Sequence, residues 1–121
     1  MFNCHAHPGL YTKNALVCTA SIDEISRLSP FPYRSLGSLP GYKTDMSIIE
    51  SWAKTETFIG EVGVDKRFDN KERQFSILSD ILRIAEKHHN IVIFHQVGWT
   101  EVFLNTVFSF NLCGFIVHSF N

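Results

Sequence analysis

The chain has 121 residues, enough for one domain with its own core, here spanning 1–121. It is 45% hydrophobic and 19% charged, which excludes a disordered binder, and its formal net charge of −1 excludes an overall basic field for nucleic acid. No apolar run reaches the roughly 20 residues of a membrane span and no signal peptide precedes the first strand, so a cytoplasmic protein without membrane contact is expected.

MFNCHAH (1–7) reads as a strand that Pro8-Gly9 breaks. ALVCTA (15–20) is a second strand, and it runs into Ser21-Ile22-Asp23-Glu24, a capping-box pattern. Ile22, Ile25 and Leu28 line one side of the short helix that follows, which Pro30 and Pro32 end. YRSLGSL (33–39) is a weaker third strand, closed by Pro40-Gly41. Thr44 or Asp45 caps a helix running to about Lys54, with Ile48, Ile49, Trp52 and Ala53 apolar.

TFIGEVGV (57–64) is the fourth strand, and its glycines point to close backbone approach near a site. Asp69-Asn70-Lys71-Glu72 is another capping pattern. The helix after it carries Phe75, Leu78, Leu82 and Ala85 on one stripe, with Asn90 as its stop. IVIFHQV (91–97) is the fifth strand, 99–110 an apolar helix, and GFIVHSF (114–120) the sixth strand. Cys4, Cys18 and Cys113 fall in apolar strand-like runs without a CxxC pair and read as reduced thiols.

The strands are continuous apolar runs rather than alternating ones, which favours a parallel sheet covered by helices. The strand–helix repeats carry no nucleotide-binding glycine loop. They predict an α/β fold, a partial TIM-type (β/α) barrel of about six parallel strands with the last strands missing. An open doubly wound sheet is the runner-up.

Polar groups recur at the strand ends. His5 and His7 stand two apart, on one face of a strand. Glu61 ends the apolar part of strand four, His95 follows Ile91-Val92-Ile93-Phe94, and His118 follows Phe115-Ile116-Val117. A lone HxH is usually incidental, and a single strand-end histidine is usually structural. The five together share one polarity and one place in the repeat, and in a parallel barrel those ends open onto one rim. Four imidazoles and a carboxylate there make a metal site with N and O ligands. His88 and His89 sit at a helix C-terminus, where positive charge is favourable. Lys66, Arg67, Lys71 and Arg73 read as solvated loop charge, with contact to an anionic substrate as the alternative.

At these residues the sequence resembles the TatD family of metal-dependent hydrolases, within the amidohydrolase-like barrels. NCHAHPG is similar to the family's first-strand HxH, IGEVGVDK to its strand-four GE-x-GLD signature, VIFHQVGWTE to its strand-five region and VHSFN to its strand-six H-x-F-x-G. The resemblance implies two divalent metal ions, Zn, Mg or Mn. His5, His7 and Glu61 would hold one, and Glu61, His95 and His118 the other. It implies hydrolysis of phosphodiester bonds in DNA by a metal-activated water. Ser38 stands where the family often carries a histidine, and Ser38, Asp65 and Lys66 are the candidate substrate contacts. The family's strand-eight aspartate has no counterpart, so the chain reads as an N-terminal fragment whose catalytic residue lies beyond its end. Two other readings stand beside this one. One is a related barrel enzyme acting on another ester or amide. The other is a non-catalytic metal-binding fragment completed by a second chain, with self-association through open sheet edges.

Overall fold

The computed structural model describes residues 15–118 and the backbone of residues 3–6. Six strands follow one another: β1 Asn3–Ala6, β2 Ala15–Cys18, β3 Arg34–Ser38, β4 Phe58–Asp65, β5 Ile91–Val97 and β6 Gly114–His118. A 3-10 helix, Ile22–Arg27, links β2 to β3. Helices α1 Met46–Thr55, α2 Lys71–His88 and α3 Thr100–Phe108 follow β3, β4 and β5 in turn.

Every neighbouring pair is parallel, and the spatial order is β1-β2-β3-β4-β5-β6. A doubly wound sheet reverses its order at a switch point. This sheet never does, so the runner-up falls and the fold is a curled part of a TIM-type barrel. Among the described residues β1 and β6 are its edges.

Side chains alternate between two apolar layers. Val17, Leu36, Ile59, Val62, Val64, Val92 and Phe94 face outward and pack with helix residues including Ile49, Trp52, Leu78, Leu82 and Phe103. Leu16, Cys18 and Ile93 face inward and pack with Phe58 and Ile116, without any helix residue. In a flat sheet β2 and β5 would lie about 14 Å apart, three strand spacings. Their side chains share one cluster because the sheet curls around them.

The helix ends carry out most of what their sequences ask. Ser21 and Glu24 form the capping box, but the segment winds as a 3-10 helix of six residues. The short span before Pro30 leaves little room for an α ladder. Asp45, not Thr44, caps α1 by accepting from the N–H groups of Ser47 and Ile48. Asn70 caps α2 by accepting from Arg73 N–H. The expected stop at Asn90 moves by one residue: His89 closes α2 in the left-handed conformation, at φ 59°.

Asn90 serves the other helix instead. Its buried Nδ2 donates to the carbonyls of Ala53 (3.1 Å) and Glu56 (2.8 Å), which close α1. Lys87 and His88, in the last turn of α2, reach Glu50 of α1 at 3.4 and 3.1 Å. Cys113 departs from expectation: it is exposed in the loop before β6, and its thiol donates to the His89 carbonyl. Among the described residues, no helix is long and apolar enough to cross a membrane.

Two outcomes are expected. Asn90→Ala strips two carbonyls at the end of α1, one of them buried, of their donor and should cost about 2 kcal/mol in urea unfolding; a loss below about 0.5 kcal/mol would mean that water replaces the amide. Glu50 is held below its ordinary carboxyl value, first by its hydrogen bond with His88 and then by Lys87. A depressed carboxyl contributes stability above its unfolded value of about 4.3 and loses it as pH falls through the folded one. The stability gap between the wild type and Glu50→Gln should therefore narrow as pH drops below about 5. A gap independent of pH would contradict the ion pair.

Candidate active site

One extra residue in β4 builds the site. Gly60 pairs with Ile93 and Val62 with Phe94, so Glu61 has no partner of its own on β5. On the other side Leu36 pairs with Ile59 and Ser38 with Val62, leaving Glu61 unmatched again. This is a β-bulge, and it reverses the alternation. Ile59, Val62 and Val64 all reach the helix layer, while Glu61 turns inward and is 2% exposed.

The bulge needs close backbone contact on both flanks. A Cβ at Gly37 would meet the Thr19 carbonyl oxygen and the backbone of Glu61, and a Cβ at Gly63 would strike the His95 carbonyl. Glycine at both positions is therefore a packing requirement.

His95 and His118 are register partners on β5 and β6, one inward position beyond the pair Ile93 and Ile116. His95 Nδ1 lies 3.4 Å from Glu61 Oε1, and His118 Nε2 lies 3.9 Å from the same oxygen. His95 and His118, from two neighbouring strands, thus converge on one buried carboxylate of β4.

Asp65, the last residue of β4, fixes the other side of His95. Its Oδ2 lies 2.9 Å from His95 Nε2. The Arg67 guanidinium forks onto both Asp65 oxygens at 2.9 and 2.6 Å, and Arg67 N–H donates to Oδ1 at 3.0 Å. Arg67 holds the Asp65 carboxyl well below the usual carboxylate range; burial opposes this and His95 reinforces it. Asp65 is 1% exposed, yet the charged contacts win over its burial. Glu61 pushes the His95 imidazole above its ordinary value, against burial and with help from Asp65.

Gln74 of α2 locks this corner. Its Oε1 accepts from Asp65 N–H at 2.8 Å, and its Nε2 lies within 3.2 Å of the carbonyls of Asp65, Phe68 and Asp69. One buried amide thereby satisfies the turn from β4 into α2. Sequence reasoning passed over it. The signal was a polar residue four before Leu78, on the buried stripe of an amphipathic helix.

The remaining candidates are placed as follows. Ser38 ends β3, is buried, and hydrogen-bonds to Thr44. Asp65 is bound to Arg67 and His95, which is the geometry of a group that positions the imidazole. Lys66 is exposed, donates its N–H to Val97 and lays its stem over Gly98. Of the loop cations, Arg67 is tied to Asp65, and Lys71 lies 5.6 Å over the Trp99 ring. His5 lies on β1, with only its backbone described, and His7 lies outside the described residues.

The donor chemistry of the converging groups fits a divalent ion. A buried carboxylate faced by two imidazoles is an N and O set of the kind that holds zinc or, with more oxygen, magnesium or manganese. The Asp65 contact leaves Nδ1 of His95 as the nitrogen turned toward Glu61. Among the described residues no three such side chains close tightly enough to hold an ion by themselves.

The family model described as TatD related DNase matches residues 9–121. No curated protein matches the chain.

Removing the Asp65 carboxylate leaves His95 and Arg67 without their shared partner. Asp65→Ala should destabilise the fold by about 3 kcal/mol in chemical unfolding, the scale for breaking a buried charged pair. A loss under about 1 kcal/mol would show that the turn holds without it.

Proposed function

The chain belongs to the TatD family of related DNases, hydrolases that generally use divalent metals, and we propose that it hydrolyses phosphodiester bonds in DNA. The observation that supports the reading is the convergence of His95 and His118 on the buried Glu61 at the C-terminal ends of three parallel strands. This rim is where barrel enzymes of this architecture carry out their chemistry.

In this reading Glu61, His95 and His118 would hold one divalent ion, and His5 and His7 would hold a second together with Glu61. A bound pair supplies a water acidic enough to attack phosphorus at neutral pH and offsets charge on the phosphoryl oxygens. The chain's own residues do the positioning. Asp65 takes the Nε2 side of His95 and fixes the ring plane. Arg67 keeps Asp65 charged, so that it remains an acceptor. The bulge holds Glu61 inside the sheet, where its desolvated charge attracts a cation more strongly than it would in water. A cytoplasmic setting belongs to the same reading, since the exposed Cys113 would stay a thiol there.

Elemental analysis after metal loading, together with hydrolysis of a single-stranded oligonucleotide, tests the proposal. Glu61→Gln keeps the shape of the side chain but removes the charge. It should lower bound metal by at least one equivalent per chain and reduce cleavage by about a hundredfold or more. Unchanged metal content would remove Glu61 from the site. Loss of metal in Glu61→Gln with cleavage unchanged would refute the assignment of this site to phosphodiester hydrolysis.

A further inference from the structure

A second feature lies beside this rim. A cavity of about 350 Å³ opens between the β3–α1 loop and the start of α2, lined among others by Ser38, Tyr42, Gly63, Phe68, Asn70 and Arg73. It adjoins the candidate active site through β4, because Gly63 is the register partner of His95. Its volume falls near the lower end for small-molecule pockets, about 300–1,000 Å³.

The lining is unusual in what it leaves uncovered. Tyr42 is 55% exposed and Phe68 46% exposed. Among the described residues neither ring stacks on another aromatic. The Phe68 ring lies over Gly41, and its carbonyl is tied to Gln74, so the ring's backbone is anchored to α2. The Arg73 guanidinium has no carboxylate partner among the described residues, whereas Arg34, Arg27, Arg67 and Arg83 each have one.

We propose that this cavity is a subsite for one nucleotide of the DNA strand, its base against Tyr42 and Phe68 and a phosphate on Arg73. The inference rests on the phosphodiesterase reading and adds to it how the strand is gripped. Two exposed rings with an uncompensated guanidinium match an aromatic anion. Every base offers a π-face, so such a grip is tolerant of sequence and selective for unstacked, single-stranded DNA.

Binding, rather than turnover, provides the test. A labelled oligothymidylate with cleavage-resistant phosphorothioate linkages is titrated with the intact chain in magnesium, and fluorescence anisotropy is read. A strand of the same length with abasic residues is the comparison. The wild type should prefer the base-bearing strand by about fivefold or more, the scale of one stacked base. Tyr42→Ala and Phe68→Leu should each erase most of that preference without weakening the abasic strand. Arg73→Gln should weaken both strands alike. Phe108→Ala, at an exposed ring on α3, should change neither. Circular dichroism confirms that each variant is folded.

Equal affinity of the wild type for the two strands would overturn the proposal, as would failure to bind the base-bearing strand or Tyr42 and Phe68 variants that keep the preference. Hydrolysis of methyl 4-nitrophenyl phosphate, which carries no base, reports on the metal chemistry separately. Its absence alongside base-selective binding would refute the phosphodiesterase reading while upholding the subsite.

Discussion

The bulge at Glu61 is the constraint on which the rest depends. A strand with strict alternation would put Ile59, Glu61, Gly63 and Asp65 on one face and Val62 and Val64 on the other. Glu61 would then lie under the helices, in the same layer as Phe94 and Leu78, with no cation to meet it. Inserting one residue moves Val62 and Val64 beneath the helices and turns Glu61, Gly63 and Asp65 toward the inner face. The hydrophobic core and the candidate site are therefore set by the same local event. Neither can be shifted without the other, because a slip of one residue exchanges valines for carboxylates.

Around the bulge the structure supplies stiffness. Gly37 and Gly63 let the neighbouring backbones approach on either side. Ser35 Oγ donates to the Gly60 carbonyl at 2.7 Å, closing one edge of the irregularity. Gln74 reaches from α2 to hold the end of β4, and Asp65 passes that rigidity to His95. Side chains positioned by strands, and braced by a helix amide, hold their geometry better than side chains on a loop. This suits chemistry in which the donors must already be in place when a cation arrives.

The charges deserve a local account. A net charge of −1 says little about this surface. The four loop cations that read as one cluster have separate occupations. Arg67 keeps Asp65 ionised, Lys71 rests on Trp99, Lys66 covers Gly98 with its stem, and Arg73 lines the cavity. The division follows from the turn between β4 and α2, which sends adjacent residues in different directions.

Much of the fold was legible in the sequence because its signals are local. Apolar runs bounded by Pro, Gly and capping residues marked six strands, and the pattern of Ser21 with Glu24 marked its helix start. Strand polarity placed Glu61, His95 and His118 at one end of the sheet. The sequence alone also carried the family, through IGEVGVDK and the histidines around it. Tertiary structure decided the rest. That Glu61 faces inward depends on pairing with two strands at once, and no window of β4 encodes it. That Asn90 closes α1 rather than α2, and that Gln74 belongs to the site, depends on contacts between segments far apart in the chain. Hydrophobic periodicity records which residues leave water; only the packed sheet determines which polar groups then meet.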